Sequence, residues 1–274
     1  MAGWELTGTY DSAQGTVRWT RLGEGSPVVL LHGWPFSSWI WRHVAAGLAA
    51  RHTVYAWDMP AYGRSERRAE QDVSLAGHAG VFAELLAHWG LAAPAVVAHD
   101  IGGAVALRAH LLHGAAYGRL ALCDAVALAP WGSAFFRLVR ESADVFARIP
   151  PALHAALVRG YVDDGGGPAL PPETVETLAA PWLDQAGHAA FYRQITRLDQ
   201  RHTDEIEDRY GDLDLPVLVC WGAEDAWLPV ERGEELAARI PGARVHTIPG
   251  AGHLIPEQAP AELTGTLMDW LATR

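Results

Sequence analysis

The residue with the greatest chemical reach in this sequence is Asp100. The stretch Val96-Val97-Ala98-His99-Asp100-Ile101-Gly102-Gly103-Ala104-Val105-Ala106-Leu107-Arg108 reads as a strand, a sharp turn and a helix. Ala98, Gly102 and Gly103 are small, which leaves a side chain at position 100 exposed on a tight turn, as a hydrolytic nucleophile must be. A carboxylate there does different work from a serine alkoxide. It displaces a leaving group from an sp³ carbon and forms an alkyl ester, which must then be hydrolysed. That two-step chemistry suits carbon–halogen bonds and the carbon–oxygen bonds of epoxides. Taken alone, the same stretch also fits an aspartate capping a helix N-terminus, with Gly102 and Gly103 as turn residues. Either way, the helix N-terminus favours the ionised carboxylate.

Hydrolysing the ester needs a base that takes a proton from water, and a neutral imidazole near pH 7 suits the task. His253, one of 13 histidines, stands in Gly250-Ala251-Gly252-His253, where the glycines let a short loop bend sharply.

Positioning such groups requires strands that end at them. Val28-Val29-Leu30-Leu31, Val54-Tyr55-Ala56-Trp57, Ala95-Val96-Val97-Ala98, Leu120-Ala121-Leu122-Cys123, Val217-Leu218-Val219-Cys220 and Arg244-Val245-His246-Thr247-Ile248 are short runs of that kind. Continuous apolar runs are what strands buried on both faces look like. Helical patterns separate them, at Leu75 to Trp89, Gly103 to Leu112 and Val230 to Ile240. The alternation predicts a mostly parallel central sheet flanked by helices, with ligands bound beyond the C-terminal strand ends. From about Pro130 to Asp212 the alternation stops. Pro150-Pro151, Gly165-Gly166-Gly167-Pro168 and Pro171-Pro172 punctuate helical stretches at Leu153 to Tyr161, Glu173 to Leu178 and Gly187 to Asp199. The expected division is a core at 1–129 and 213–274 with a helical cap at 130–212, the Gly-rich segment forming a mobile loop.

Composition narrows the partners. The 274 residues are 50% hydrophobic, enough for one large core and a modest insertion, and the 12 tryptophans suit an apolar pocket. A net charge of −11 argues against nucleic acid. Cys123 and Cys220 each close an apolar run and are expected as buried, reduced thiols. No spacing resembles a metal site, no stretch approaches a membrane span, and the N-terminus carries no leader pattern. A cytoplasmic monomer or homodimer is expected, with a small apolar to moderately polar substrate and no cofactor, metal, membrane or nucleic-acid partner.

His32-Gly33-Trp34-Pro35, then Asp58-Met59-Pro60-Ala61-Tyr62-Gly63-Arg64-Ser65, then His99-Asp100-Ile101-Gly102-Gly103, then Gly222-Ala223-Glu224-Asp225 and Gly250-Ala251-Gly252-His253 occur in that order. With these motifs the chain resembles the α/β-hydrolase fold from end to end. It is most similar to the branch with an aspartate nucleophile, the epoxide hydrolases and the haloalkane and haloacid dehalogenases. The resemblance implies that Asp100 is the nucleophile and His253 the base. Asp225 would accept the His253 N–H, with Asp124 the rival acid, because some haloalkane dehalogenases carry theirs after the corresponding strand. The amides of Trp34 and Ile101 would form an oxyanion hole, and His32 would be structural.

Departures from the family separate the reactions. Haloalkane dehalogenases usually cradle the halide with a tryptophan directly after the nucleophile, and fluoroacetate dehalogenases place an arginine there. This chain has Ile101, although Trp34 or Trp131 could donate to a halide differently. Epoxide hydrolases use tyrosines of the cap to protonate the departing oxygen. Ala190-Phe191-Tyr192-Arg193 resembles a segment bearing one, which makes Tyr192 the expected donor, with Tyr161 the candidate for the second tyrosine that many epoxide hydrolases carry. The expectation is an epoxide hydrolase with Trp34, Trp131, Phe135, Phe136, Trp182 and Phe191 lining an apolar pocket. A dehalogenase is the alternative, and a non-hydrolytic ligand-binding relative is the less favoured third.

Overall fold

The apolar runs assemble into one eight-stranded sheet, ordered β1-β2-β4-β3-β5-β6-β7-β8, in a computed structural model that describes residues 3–165 and 167–273. The strands are β1 (Gly8–Ser12), β2 (Gly15–Leu22), β3 (Ser26–Leu31), β4 (His52–Asp58), β5 (Ala95–His99), β6 (Arg119–Cys123), β7 (Val217–Gly222) and β8 (Arg244–Ile248). From β4 to β8 across the sheet every pairing is parallel, whereas β1 and β2 add an antiparallel edge. The parallel centre is apolar on both faces: Val28 to Leu31, Val96 to Ala98 and Leu120 to Cys123 are fully buried. The β1–β2 hairpin lies outside the strands expected above, because β1 alternates between half-buried and exposed and β2 mixes buried with half-buried and exposed positions rather than forming an apolar run.

Helix Leu75–His88, capped by the Ser74 hydroxyl accepting the Gly77 N–H, packs on helix Ile101–His113, which Gly114 ends in the left-handed conformation. Cys123 and Cys220 are buried free thiols in register on β6 and β7.

Between β6 and β7 the chain is helical, and its main helices are Ala134–Glu141, Pro151–Asp164, Pro172–Ala179, Gln185–Arg197 and Arg201–Glu207. The double prolines that punctuate the sequence are helix starts, with Pro151 and Pro172 in the first turns. The insertion is tied to the core by polar clasps. Trp182 Nε1 donates to the Pro35 carbonyl at 2.8 Å, Gln194 Nε2 to Ala61 at 3.0 Å, and the Tyr210 hydroxyl to Ala127 at 2.7 Å.

In the Gly-rich segment Gly166 lies outside the described residues. Of its neighbours, Gly165 ends a helix at φ 44°, and Gly167 packs so closely that a Cβ would sit 2.4 Å from Gly252 Cα. No helix among the described residues is long and apolar enough to cross a membrane.

Candidate active site

β5 runs straight into helix Ile101–His113, and Asp100 makes the turn at φ 53°, ψ −125°. Such a conformation costs on the order of 1–3 kcal/mol for a residue with a side chain and persists only where the surroundings hold it. Here they do. The Asp100 N–H donates to the Cys123 carbonyl at 3.1 Å, and the Asp100 carbonyl accepts from Gly103 and Val126, both at 2.9 Å. Neighbouring glycines allow the approach: a Cβ on Gly33 would stand 2.4 Å from Asp100 Cβ, and one on Gly102 2.7 Å from the His32 carbonyl.

The carboxylate is therefore aimed. Its Oδ1 accepts the backbone N–H of Trp34 at 2.7 Å, while its Oδ2 lies 3.4 Å from His253 Nε2. Ile101 opens the helix, so its N–H has no acceptor within the helix. The loop bearing Trp34 is itself hooked to the loop after β4. His32 Nε2 accepts the Met59 N–H at 2.9 Å, and Asp58 accepts from Ser38 at 2.8 Å and Arg64 at 2.7 Å. These motif residues hold the oxyanion-side loop in place rather than meeting a ligand.

His253 follows β8, and its loop is laced to the one after β7 by Ala223 N–H to Ile248 at 3.0 Å and Glu224 N–H to Ala251 at 2.9 Å. His253 Nδ1–H donates to Asp225 Oδ2 at 2.9 Å, and Asp225 Oδ1 accepts the N–H groups of Trp227 and Leu228, each at 2.8 Å. This fixes the tautomer that leaves Nε2 facing Asp100. Burial pulls the His253 pKa down, but Asp225 and then Asp100 outweigh it, so the net value is well above the ordinary imidazole range.

The rival acid Asp124 is also buried at the end of β6, at φ 43°. Its Oδ1 accepts the Gly222 N–H at 2.8 Å, and its Oδ2 has no partner among the described residues. Burial, and then the charge of Asp225, raise its pKa well above the carboxylate range. The geometry thus pairs His253 with Asp225, while Asp124 bonds to the Gly222 N–H.

A narrow pocket opens above Asp100, lined by Trp34, Ile101, Val126, Trp131, Gly132, Ser133, Phe136, Tyr161, Trp227, Leu228 and His253. Its empty volume is about 330 Å³, part of it open to solvent. Of the residues expected there, Trp34, Ile101, Trp131 and Phe136 line it. Phe191 stands behind Trp34, ring centres 5.0 Å apart, Trp182 stands behind Phe191 at 5.6 Å, and Phe135 backs Tyr161 at 4.8 Å.

Tyr192, the expected proton donor, is not brought to the pocket. Its buried hydroxyl hydrogen-bonds to His154 Nδ1 at 2.9 Å, and burial pushes its pKa up to about 12. Packing explains the difference, since helix Gln185–Arg197 turns Tyr192 inward among Phe146, His154 and His188. Tyr161 is the tyrosine at the pocket, its hydroxyl 3.1 Å from Ser133 Oγ.

Sequence reasoning also passed over Ser133, Trp227 and His99. Trp227 stacks on Tyr161 with ring centres 4.4 Å apart, and its indole N–H donates to Asp164 at 2.7 Å. Burial depresses the His99 pKa to about 3, so the ring is neutral and its Nε2–H donates to the His253 carbonyl at 2.8 Å. The adjacency of His99 to Asp100 and of Trp227 to Asp225 was the signal available. For Ser133 it was only a serine before a helical run.

The sequence pattern of the family described as alpha/beta hydrolase fold matches residues 26–260. The chain is 42% identical to an alpha/beta hydrolase fold protein from Burkholderia ambifaria, with a TM-score of 0.93 over 97% of this chain and 98% of that one. It is 26% identical to haloalkane dehalogenase 2 of Mycobacterium tuberculosis, over 95% of this chain and 93% of that protein. The epoxide hydrolase CorEH shares the fold, with a TM-score of 0.77 over 97% of this chain and 98% of that one, at 20% identity.

Proposed function

The chain belongs to the α/β-hydrolase family, and we propose that within it the protein is an epoxide hydrolase working through a covalent ester on Asp100. One observation carries the reading. A carboxylate with one oxygen on the Trp34 amide and the other facing His253 stands in a pocket that Tyr161 and Ser133 also line, their hydroxyls 3.1 Å apart.

The two oxygens of Asp100 divide the work. Oδ2, free of backbone donors, attacks the oxirane carbon from behind as the ring carbon–oxygen bond breaks. Tyr161 gives its proton to the departing oxygen. Oδ1 stays on the Trp34 amide as the carbonyl oxygen of the ester, where that N–H and the Ile101 N–H stabilise the oxyanion formed when water adds to Cγ. Alkylation also removes the negative charge of Asp100 that helps to raise the His253 pKa. The imidazole then gives up its proton more readily and takes one from water. Collapse releases a vicinal diol and restores Asp100, and Tyr161 regains a proton from solvent. The narrow aromatic pocket, with no charged lining besides the catalytic groups, favours a small neutral oxirane.

The halide reading has one specific support: Trp34 Nε1 is buried with no partner among the described residues and could donate to a leaving halide. The other pocket indoles are committed, Trp131 to Thr203 at 2.9 Å and Trp227 to Asp164 at 2.7 Å. Incubation with styrene oxide and with 1-haloalkanes separates the readings by diol against free halide. A single turnover of styrene oxide in heavy-oxygen water tests the ester. The expected result is an unlabelled diol and a label on Asp100, whereas a labelled diol would overturn covalent catalysis.

A further inference from the structure

The insertion presents one tyrosine to the pocket, and a lone phenol makes a poor acid when the phenolate it leaves behind is buried among aromatic rings. Tyr161 is held there rigidly, stacked on Trp227 and flanked by Trp34 at 5.4 Å and Phe135 at 4.8 Å. Its hydroxyl has one partner, Ser133 Oγ, at 3.1 Å.

Ser133 is not free to bond in any direction. It caps helix Ala134–Glu141, its Oγ accepting the Phe136 N–H at 3.1 Å. A serine hydroxyl has one proton and two lone pairs, so the cap bond takes one lone pair and leaves the proton available to give, although in this pair either hydroxyl can be the donor. The remaining neighbour for that proton is the Tyr161 oxygen. With Ser133 donating, the phenol's own proton is released from the pair and turned towards the pocket that both residues line.

We propose that Ser133 is the second member of the proton-donating pair: it donates to Tyr161 and stabilises the phenolate formed when Tyr161 protonates the leaving oxygen. The inference rests on the epoxide reading above and adds a residue to it. The step balances. The Asp100 Oδ2–carbon bond forms, the oxirane carbon–oxygen bond breaks, the Tyr161 proton moves to the oxirane oxygen, and the negative charge passes from Asp100 to the phenolate. A hydrogen bond to a charged acceptor is shorter and roughly twice as strong as a neutral one, so the Ser133 contact strengthens as charge develops. The N-terminus of the helix Ser133 caps also favours negative charge at that point. Burial raises the Tyr161 pKa above the phenol range, and Ser133 is the neighbour that draws it back down.

The test is rapid-quench intact mass spectrometry with styrene oxide, which follows formation and decay of the alkyl-enzyme separately. Ser133→Ala is expected to slow ester formation about 10- to 100-fold, the range for a hydrogen bond to a charged group. Ester decay should hold its wild-type rate, and Ser133→Thr should restore formation. Ser133→Gly, which replaces an N-cap at a cost of only a few tenths of a kcal/mol, keeps the test open if the alanine variant folds poorly. In a Tyr161→Phe background the serine substitution should have no further effect on formation. Unchanged ester formation in Ser133→Ala, or an equal loss with and without the Tyr161 hydroxyl, would overturn the role of Ser133 while leaving the epoxide reading intact. Failure of the wild-type protein to form any ester with styrene oxide would remove both.

Discussion

The floor and the roof of the pocket are built on different principles. The floor comes from loops at the ends of β3, β5, β7 and β8, and backbone groups anchor its polar side chains, with Asp225 aiming His253. The Trp34 amide holds Asp100, two amides hold Asp225, and the His253 carbonyl is held by His99. The roof comes from helices whose aromatic side chains hold one another, and its main polar feature at the pocket is the Ser133–Tyr161 pair. Rigid backbone suits groups that must form and hydrolyse an ester on any substrate. Exchangeable side chains suit the choice of leaving group. The two meet at Trp227, whose N–H holds Asp225 while its ring carries Tyr161 and its indole N–H reaches Asp164.

The sharpest way to break this comparison lies wholly within the floor. Asp225 and Asp124 are both buried carboxyls at strand ends, yet only Asp225 bonds to His253. Asp225→Asn is expected to slow decay of the alkyl-enzyme by about ten-thousand-fold, as loss of the orienting acid does in triads of this geometry. Asp124→Asn retains an oxygen for the Gly222 N–H and replaces a carboxyl whose pKa burial already raises. It should change decay less than about 10-fold. Single-turnover decay measured by intact mass distinguishes them, and equal losses would show that both acids serve His253.

A smaller effect separates two tyrosines of the roof. Tyr161→Phe should slow ester formation about a hundred-fold, within the usual range for a general acid. Tyr192→Phe should leave formation nearly unchanged and cost about 1 kcal/mol of stability through its lost bond to His154. Quench kinetics and urea melts on both variants read the contrast, and a formation defect in Tyr192→Phe would return that residue to the pocket.

This contrast also marks where sequence reading stops. The floor was legible because its residues are adjacent along the chain to strand ends: Asp100 at the β5 tip, Asp225 after β7, and His253 after β8. Apolar runs gave the parallel sheet for the same reason, and missed β1 and β2, whose residues are half exposed. The roof was not legible, because which face of a helix looks inward depends on what packs against it. Tyr192 was chosen from a local segment, but Phe146, His154 and His188 surround it. Tyr161 faces the pocket because Trp227, 66 residues later in the chain, supplies the surface it stacks on. No local pattern around residue 161 contains that information.

The mildest expected effect concerns acid, and it too divides floor from roof. Beneath the floor, burial holds His78 and His99 neutral, with pKa values near 3 for both. In the unfolded chain an imidazole binds its proton near pH 6.5. As pH falls from about 6.5 towards 3, the unfolded state gains protons that the folded floor refuses, so stability declines by up to about 1.4 kcal/mol per pH unit for each such histidine. His253 has the opposite sign. Its raised pKa contributes stability that is complete below about pH 6.5 and is lost only as pH rises through the folded value. Acid unfolding should therefore report His78 and His99 rather than the triad. His78 has no side-chain hydrogen-bond partner among the described residues, so His78→Leu removes a proton-refusing group without breaking a side-chain pair. Urea midpoints measured between pH 4 and 6 should fall less steeply in that variant, and an unchanged slope would place the acid sensitivity elsewhere, in the other buried histidines whose pKa burial lowers, His32, His154 and His202.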